Sequence, residues 1–200
     1  MINYLDELKQ NYGEDVPILL SEIAPEKDEN IRIRQYLNRK CKEGKIRKFD
    51  RGVYFFPSYD DIFGESLLAP ILVIERKYIT NGEKIYGVYA GNTIINMYGL
   101  CTQVPNIRQI VSNNISKKRL ITVGRTRVEV KPAPITITKE NRRAVEIAEV
   151  LLELAPYEIE RNKKELKKLV PSLVSKSILR EVISMYPADV SKKAIQGGIL

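Results

Sequence analysis

The chain has 200 residues, 44% hydrophobic and 29% charged, a globular composition with room for one domain or two small ones. It has no histidine, which removes Ser-His-Asp and Cys-His nucleophile systems, imidazole general bases and zinc sites needing an imidazole, and its two cysteines are too few for a four-cysteine zinc site or a disulfide framework. Thirty-three basic against twenty-five acidic side chains give a formal charge of +8, which favours a polyanionic partner.

Ile2, Leu5 and Leu8 recur at helical spacing with charges between them, and Gly13 follows as a stop, predicting a first amphipathic helix over 2–10. Pro17 suits the first turn of a short second helix through Ile18, Leu19, Leu20 and Ile23, which Pro25 ends. Ile33, Tyr36, Leu37 and Cys41 form the apolar stripe of a third helix that stops at Gly44. Tyr36 is therefore expected in the core, while the other face holds Arg34, Gln35, Asn38, Arg39 and Lys42. Ile46 to Phe49 and Val53 to Phe56, joined by Asp50-Arg51-Gly52, read as a two-stranded hairpin ending before Pro57. Three short helices and then a hairpin is the order of a winged helix-turn-helix, whose third helix enters the major groove of DNA with the hairpin beside it.

Residues 58–64, with Ser58, Asp60, Asp61 and Gly64, predict a polar linker and a domain boundary. The expected architecture is α+β: a winged helix-turn-helix over 1–58, then a mixed α+β domain over 65–200 that ends in helices. Glu65 to Tyr78 reads as helical, Asn81-Gly82 as a turn, Lys84 to Ala90 as a strand, Thr93 to Leu100 as a helix and Ile107 to Ser112 as extended. Leu120 to Val123 and Thr126 to Lys131 alternate around Gly124-Arg125 as a second hairpin, closed off by Pro132 and Pro134. Ala144, Val145, Ile147, Ala148, Leu151 and Leu152 predict a helix from Lys139 onward, followed by helical segments at Arg161–Val174 and Ser177–Met185. The longest apolar run, Leu67 to Ile74, has eight residues and contains Pro70, too little to cross a bilayer. Acidic Asp6 and Glu7 oppose a signal-peptide reading. A cytoplasmic location with reduced thiols is expected, although a single Cys41–Cys101 bridge stays formally open.

Charge is unevenly placed. Residues 1–28 hold two basic and seven acidic side chains, residues 29–51 nine basic and three acidic, and residues 106–131 seven basic and one acidic. An acidic opening segment thus precedes two positive centres.

Signals for catalysis are weak. Gly82-Glu83-Lys84-Ile85-Tyr86-Gly87 has the glycine separation of a phosphate loop, but Val88-Tyr89 stands where the lysine and hydroxyl belong. Glu129-Val130-Lys131 offers the Glu-x-Lys spacing of metal-dependent nucleases, yet no aspartate lies between Ile62 and Ala188, leaving Glu65, Glu75 or Glu83 as the second acid. A plain alternating strand is preferred. Ser112 and Ser116 lack the Ser-x-x-Lys spacing that activates a hydroxyl without histidine, and Cys101 reads as a small packed hydrophobe. No catalytic residue, metal ligand or cofactor is assigned.

The basic segment after residue 29 has a geometric use. Arginine can bridge guanine O6 and N7, and asparagine or glutamine can pair with adenine N6 and N7. Arg34, Gln35, Asn38 and Arg39 are therefore the candidate base readers, Lys42 a phosphate contact, and Lys45, Arg47, Lys48 and Arg51 the contacts of the wing. Arg108, Lys117, Lys118, Arg119, Arg125 and Arg127 form a secondary basic patch that would extend the footprint. The competing uses are a winged-helix module that recognises an acidic protein and a small metal nuclease centred on Glu129 and Lys131.

Gly44-Lys45-Ile46-Arg47, followed by Arg51-Gly52-Val53-Tyr54 and Pro57, resembles the wing of AbiEi-type antitoxins and related transcriptional regulators. Ala90-Gly91-Asn92-Thr93 through Gly99-Leu100, then Thr102-Gln103-Val104-Pro105 and the Lys118 to Val130 hairpin, is similar to the segment such proteins carry after the wing. The resemblance covers roughly residues 15–155, and the tail beyond 156 has no match in it. It implies a bacterial antitoxin of a type IV toxin–antitoxin system, a repressor binding double-stranded DNA at promoter repeats of its own operon. The functional partner would be a nucleotidyltransferase-like toxin, with no direct contact implied and no membrane involved.

Overall fold

The computed structural model describes residues 4–169 and 174–200 and divides into two compact units, one up to Ile74 and one from Glu75 to Leu200. The protein is mixed α+β with a helical carboxyl-terminal region, as expected.

The first unit runs α1 (Tyr4–Tyr12), β1 (Ile18–Leu19), α2 (Leu20–Ile23), α3 (Lys27–Lys42), β2 (Arg47–Asp50) and β3 (Val53–Phe55). The expected first helix is present from Tyr4, and residues 2 and 3 of that expectation lie outside the described residues. Ile18 and Leu19 depart from the helical expectation. They pair antiparallel with Tyr54 and Val53, forming a three-stranded sheet ordered β1-β3-β2. Both side chains are buried, so the free edge of the hairpin outcompetes a helix start at Pro17. The core gathers Leu5, Leu8, Ile18, Leu20, Ala24, Leu37, Ile46, Tyr54 and Phe56.

Residues 58–64 are not an open linker. Tyr59–Asp60 (β4) and Gly64–Glu65 (β5) form a two-stranded antiparallel ribbon, and the division between units falls at Ile74/Glu75, within α4 (Pro70–Tyr78). That helix starts five residues later than expected because β5 takes Glu65 and Pro70 sets the first turn.

In the second unit β6 (Gly87–Tyr89), β7 (Ile107–Ser112), β8 (Arg119–Val123) and β9 (Thr126–Pro132) form a sheet ordered β6-β7-β9-β8, with β7 and β9 parallel. The β8–β9 hairpin turns at Gly124, whose φ of 58° suits glycine. Between β6 and β7 lies α5 (Gly91–Met97), and α6 (Arg142–Glu153) is buried from Ala144 to Leu151. Val88, Ile94, Ile95 and Val111 join α6 in the main core. The tail forms α7 (Pro156–Arg161), α8 (Lys163–Leu169), α9 (Lys176–Ser184) and α10 (Ala188–Gln196). The expected segment Arg161–Val174 is thus split at Asn162, and its residues 170–173 lie outside the described residues. Cys41 and Cys101 are free thiols, and no described helix is long and apolar enough to cross a membrane.

Candidate functional site

Helix α3 is built for exposure on one side. Leu37 is its one fully buried residue, flanked by half-buried Asn30, Ile33 and Cys41. Opposite them an exposed stripe carries Ile31, Arg32, Gln35, Arg39 and Lys42 at helical spacing. The helix ends in a Schellman turn: Lys45 N–H donates to Lys40 O at 3.0 Å, Gly44 N–H to Cys41 O at 3.1 Å, and Gly44 has φ 76°. Glu43 at this end collects Lys40 at 2.7 Å and Lys45 at 3.5 Å, and these ammonium groups hold its carboxyl below the usual range.

The structure sorts the expected base readers into two groups. Gln35 and Arg39 stand on the exposed stripe, Arg39 only 4.0 Å from Glu43 and 5.6 Å from the Tyr36 ring centre. Arg34 and Asn38 lie on the half-buried flank, where Asn38 Oδ1 accepts the Tyr54 hydroxyl at 3.1 Å. Tyr36 packs against the core from its edge: it is half-buried, edge-on to Tyr4 at 5.8 Å, with Lys40 Nζ 5.7 Å from its ring centre. Arg32 was missed as a site residue, although its spacing three before Gln35 and seven before Arg39 marks the same face.

In the hairpin, Phe49 is bulged between Lys48 and Asp50, and the turn is tightened by Asp50 Oδ1 accepting Arg51 N–H at 2.6 Å. The side chains of Lys48 and Arg51 are exposed and make no hydrogen bond or ion pair with any described residue; the same holds for Gln35 and Lys42 on α3. Arg47 is committed. Its guanidinium donates Nε–H and Nη2–H to the two Glu65 oxygens at 2.9 and 2.6 Å.

The secondary basic patch does not form one surface. Register places Arg108 opposite Val128 and Arg119 opposite Val130 on one face of the sheet, while Arg127 alternates onto the other face with Glu129 and Lys131. Lys118 binds Glu129 at 2.7 Å and Lys131 binds it at 3.2 Å. These two lysines and a Gln109 hydrogen bond hold the Glu129 carboxyl below the usual range. Of the possible second acids, Glu65 is held by Arg47 and Glu75 accepts the Tyr89 hydroxyl at 2.8 Å. Among the described residues no group of three acidic or cysteine side chains is placed to hold a metal ion.

A second feature, unassigned from sequence, is a cleft of about 330 Å³ lined by Asn92, Gln103, Pro105, Asn106, Ile107, Gln109 and Glu129. It unites the Ala90–Thr93 and Thr102–Pro105 segments. Gln109 Oε1 accepts the Asn92 N–H at 2.8 Å, and Gln109 N–H donates to Thr93 Oγ1 at 2.8 Å. Gly91 makes this possible: at φ 54°, a Cβ would stand 2.0 Å from Gln109 Oε1.

Residues 18–178 match the family described as "Family of unknown function (DUF6088)". No curated protein matches the chain.

Proposed function

We propose that this chain, which belongs to the DUF6088 family, is a DNA-binding transcriptional regulator whose first unit is a winged helix-turn-helix. The carrying observation is the exposed stripe Arg32, Gln35, Arg39 and Lys42, bounded by acidic Asp28 in the first turn and Glu43 at the helix end, on a helix braced by a three-stranded sheet. The element order and the free Lys48 and Arg51 of the β2–β3 hairpin support the same reading. In it, Arg32, Gln35 and Arg39 read base edges, Lys42, Lys45, Lys48 and Arg51 meet phosphates, and Arg34 and Asn38 brace the helix flank. Lys117, Arg125 and Arg127 add phosphate contacts where the footprint extends.

The regulator is read as an AbiEi-like cytoplasmic antitoxin that represses its own operon. Support for that step is the resemblance of the Gly44–Pro57 and Ala90–Pro105 segments. Its function is not enzymatic in this reading, since both lysines near Glu129 are spent on the carboxylate itself.

Fluorescence anisotropy with the protein's own upstream duplex and a scrambled duplex, at two salt concentrations, tests the proposal. Tight binding to the upstream duplex that falls to the scrambled level in an Arg32→Ala/Arg39→Ala variant supports sequence readout by α3. Equal weak binding to both duplexes sinks it and favours an acidic protein partner. Magnesium-dependent cleavage abolished by Glu129→Ala would overturn the non-enzymatic reading.

A further inference from the structure

The β4–β5 ribbon projects apolar side chains into solvent from a rigid base. Tyr59 is 73% exposed, Ile62 84%, Phe63 86% and Leu67 93%. Scattered exposed apolar residues are ordinary, but four within nine residues make a patch. The ribbon is held firmly. Asp60 Oδ1 accepts the N–H groups of Ile62 and Phe63 at 2.8 and 2.9 Å, fixing the tip. At the base, Asp15 accepts the Ser58 hydroxyl at 2.6 Å and the Ser66 hydroxyl, and Arg47 grips Glu65. Exposure of Ile62 and Phe63 is therefore a property of an ordered element, with their apolar surface left in water at a standing free-energy cost.

Beside the ribbon's base the same unit carries a groove of about 430 Å³, lined by Arg47, Lys48, Phe49, Phe55, Leu67 and Leu68 among others. The tip is apolar with two acidic side chains, Asp60 and Asp61, and the groove is apolar with Glu65 neutralised by Arg47 and one ammonium, Lys48, left unpaired. Tip and groove are complementary in both character and charge, and every copy carries both. That is the requirement for an isologous two-fold interface, in which each copy gives what it receives. Four large apolar side chains expose on the order of 500 Å² per copy, so reciprocal burial reaches about 1,000 Å², the lower bound of a specific interface.

We infer that the protein self-associates through this ribbon, the Ile62–Phe63 tip of each copy entering the Phe49–Phe55–Leu67–Leu68 groove of a second copy with Asp61 against Lys48. The inference does not rest on DNA binding, but it takes Lys48 for the interface between copies in place of a phosphate contact.

Sedimentation velocity of the full chain over a range of concentrations tests it, with circular dichroism confirming that each variant is folded. The unsubstituted protein is expected to show a concentration-dependent dimer, and Phe63→Asp to weaken association more than about tenfold. Asp61→Lys and Lys48→Asp each place like charges in the interface and are expected to be monomeric alone. Mixed in equal amounts they restore opposite charges at both contacts, and a heterodimer should return. A monomer at all concentrations, a dimer indifferent to Phe63→Asp, or a mixture that stays monomeric would each overturn the inference, the first leaving the ribbon to a different protein.

Discussion

Tyr54, wholly buried at the centre of the three-stranded sheet, donates its hydroxyl to Asn38 Oδ1 on α3 at 3.1 Å. The bond couples the orientation of the recognition-helix candidate to the hairpin beside it. It also occupies the amide oxygen that Asn38 would need to pair with an adenine amino group. Burial raises the Tyr54 hydroxyl's pKa, so it stays a neutral donor through the physiological range.

Removing that hydroxyl separates bracing from base reading. Tyr54→Phe is expected to cost about 1 kcal/mol of stability, the worth of one partly buried hydrogen bond. DNA affinity should fall alike for upstream and scrambled duplexes, whereas Gln35→Ala should lower only the upstream affinity. Denaturant melts and anisotropy on the two variants check this.

The exposed arginines should act on binding without acting on the fold. Arg39 has only a loose pair with Glu43 at 4.0 Å, and Arg32 is exposed. Each alanine variant is expected to change stability by no more than about 0.5 kcal/mol. As base readers they should each cost about 1–3 kcal/mol of affinity for the upstream duplex with little change for the scrambled one, whereas Lys42→Ala, a phosphate contact, should flatten the slope of log affinity against log salt by about one. Anisotropy in which both arginine variants bind the upstream duplex as tightly as the parent would show that these side chains do not read DNA.

Asp15 carries a pH dependence with a defined sign. The Ser58 and Ser66 hydrogen bonds hold its carboxyl below the ordinary value. A depressed folded pKa contributes stability above the unfolded pKa and loses it as pH falls through the folded one. Asp15 has φ 58°, a conformation asparagine tolerates, so Asp15→Asn removes the charge without new backbone strain. The variant should lose amide-exchange protection around Ser58 and Ser66 at neutral pH and differ little from the parent in acid.

Gly91 and Gln109 interlock. Gly91→Ala would push the end of the Gln109 side chain off the Asn92 N–H at a positive φ, and is expected to cost about 2 kcal/mol, about 1 from the lost hydrogen bond and about 1 from φ. In a Gln109→Ala background the clash is gone, and the penalty should shrink to about 1 kcal/mol from φ alone. A double-mutant cycle showing no coupling would contradict the close approach.

Glu149 has the opposite sign from Asp15. Burial raises its carboxyl above the usual value, against the Tyr186 hydroxyl bonded to Oε1 at 2.7 Å. Stability from such a group is complete below the unfolded pKa and falls as pH rises through the folded one. Glu149→Gln keeps an acceptor for Tyr186 and should raise the melting temperature at neutral pH with a smaller effect in acid.

Much of the architecture was legible along the chain because it rests on local rules. The apolar period through Ile33, Leu37 and Cys41 with Gly44 as stop located α3, Gly124 located the β8–β9 turn, and the Ala144–Leu151 run located α6. Charge placement marked the segment after residue 29 for the same reason: charge is additive and needs no fold to be counted. Three outcomes depended on partners far apart in sequence. Ile18–Leu19 became a strand because Val53 and Tyr54 offered an edge, and residues 59–65 became a ribbon because Asp15 lies within reach of Ser58 and Ser66. Asn38 turned from a free reader into a bonded brace because Tyr54 faces it across the core. Composition and periodicity therefore determined the elements and their charge. Which side chains on those elements remain unspent was decided by tertiary packing, since hydrogen bonds and ion pairs form between residues that only folding brings within 3 to 4 Å.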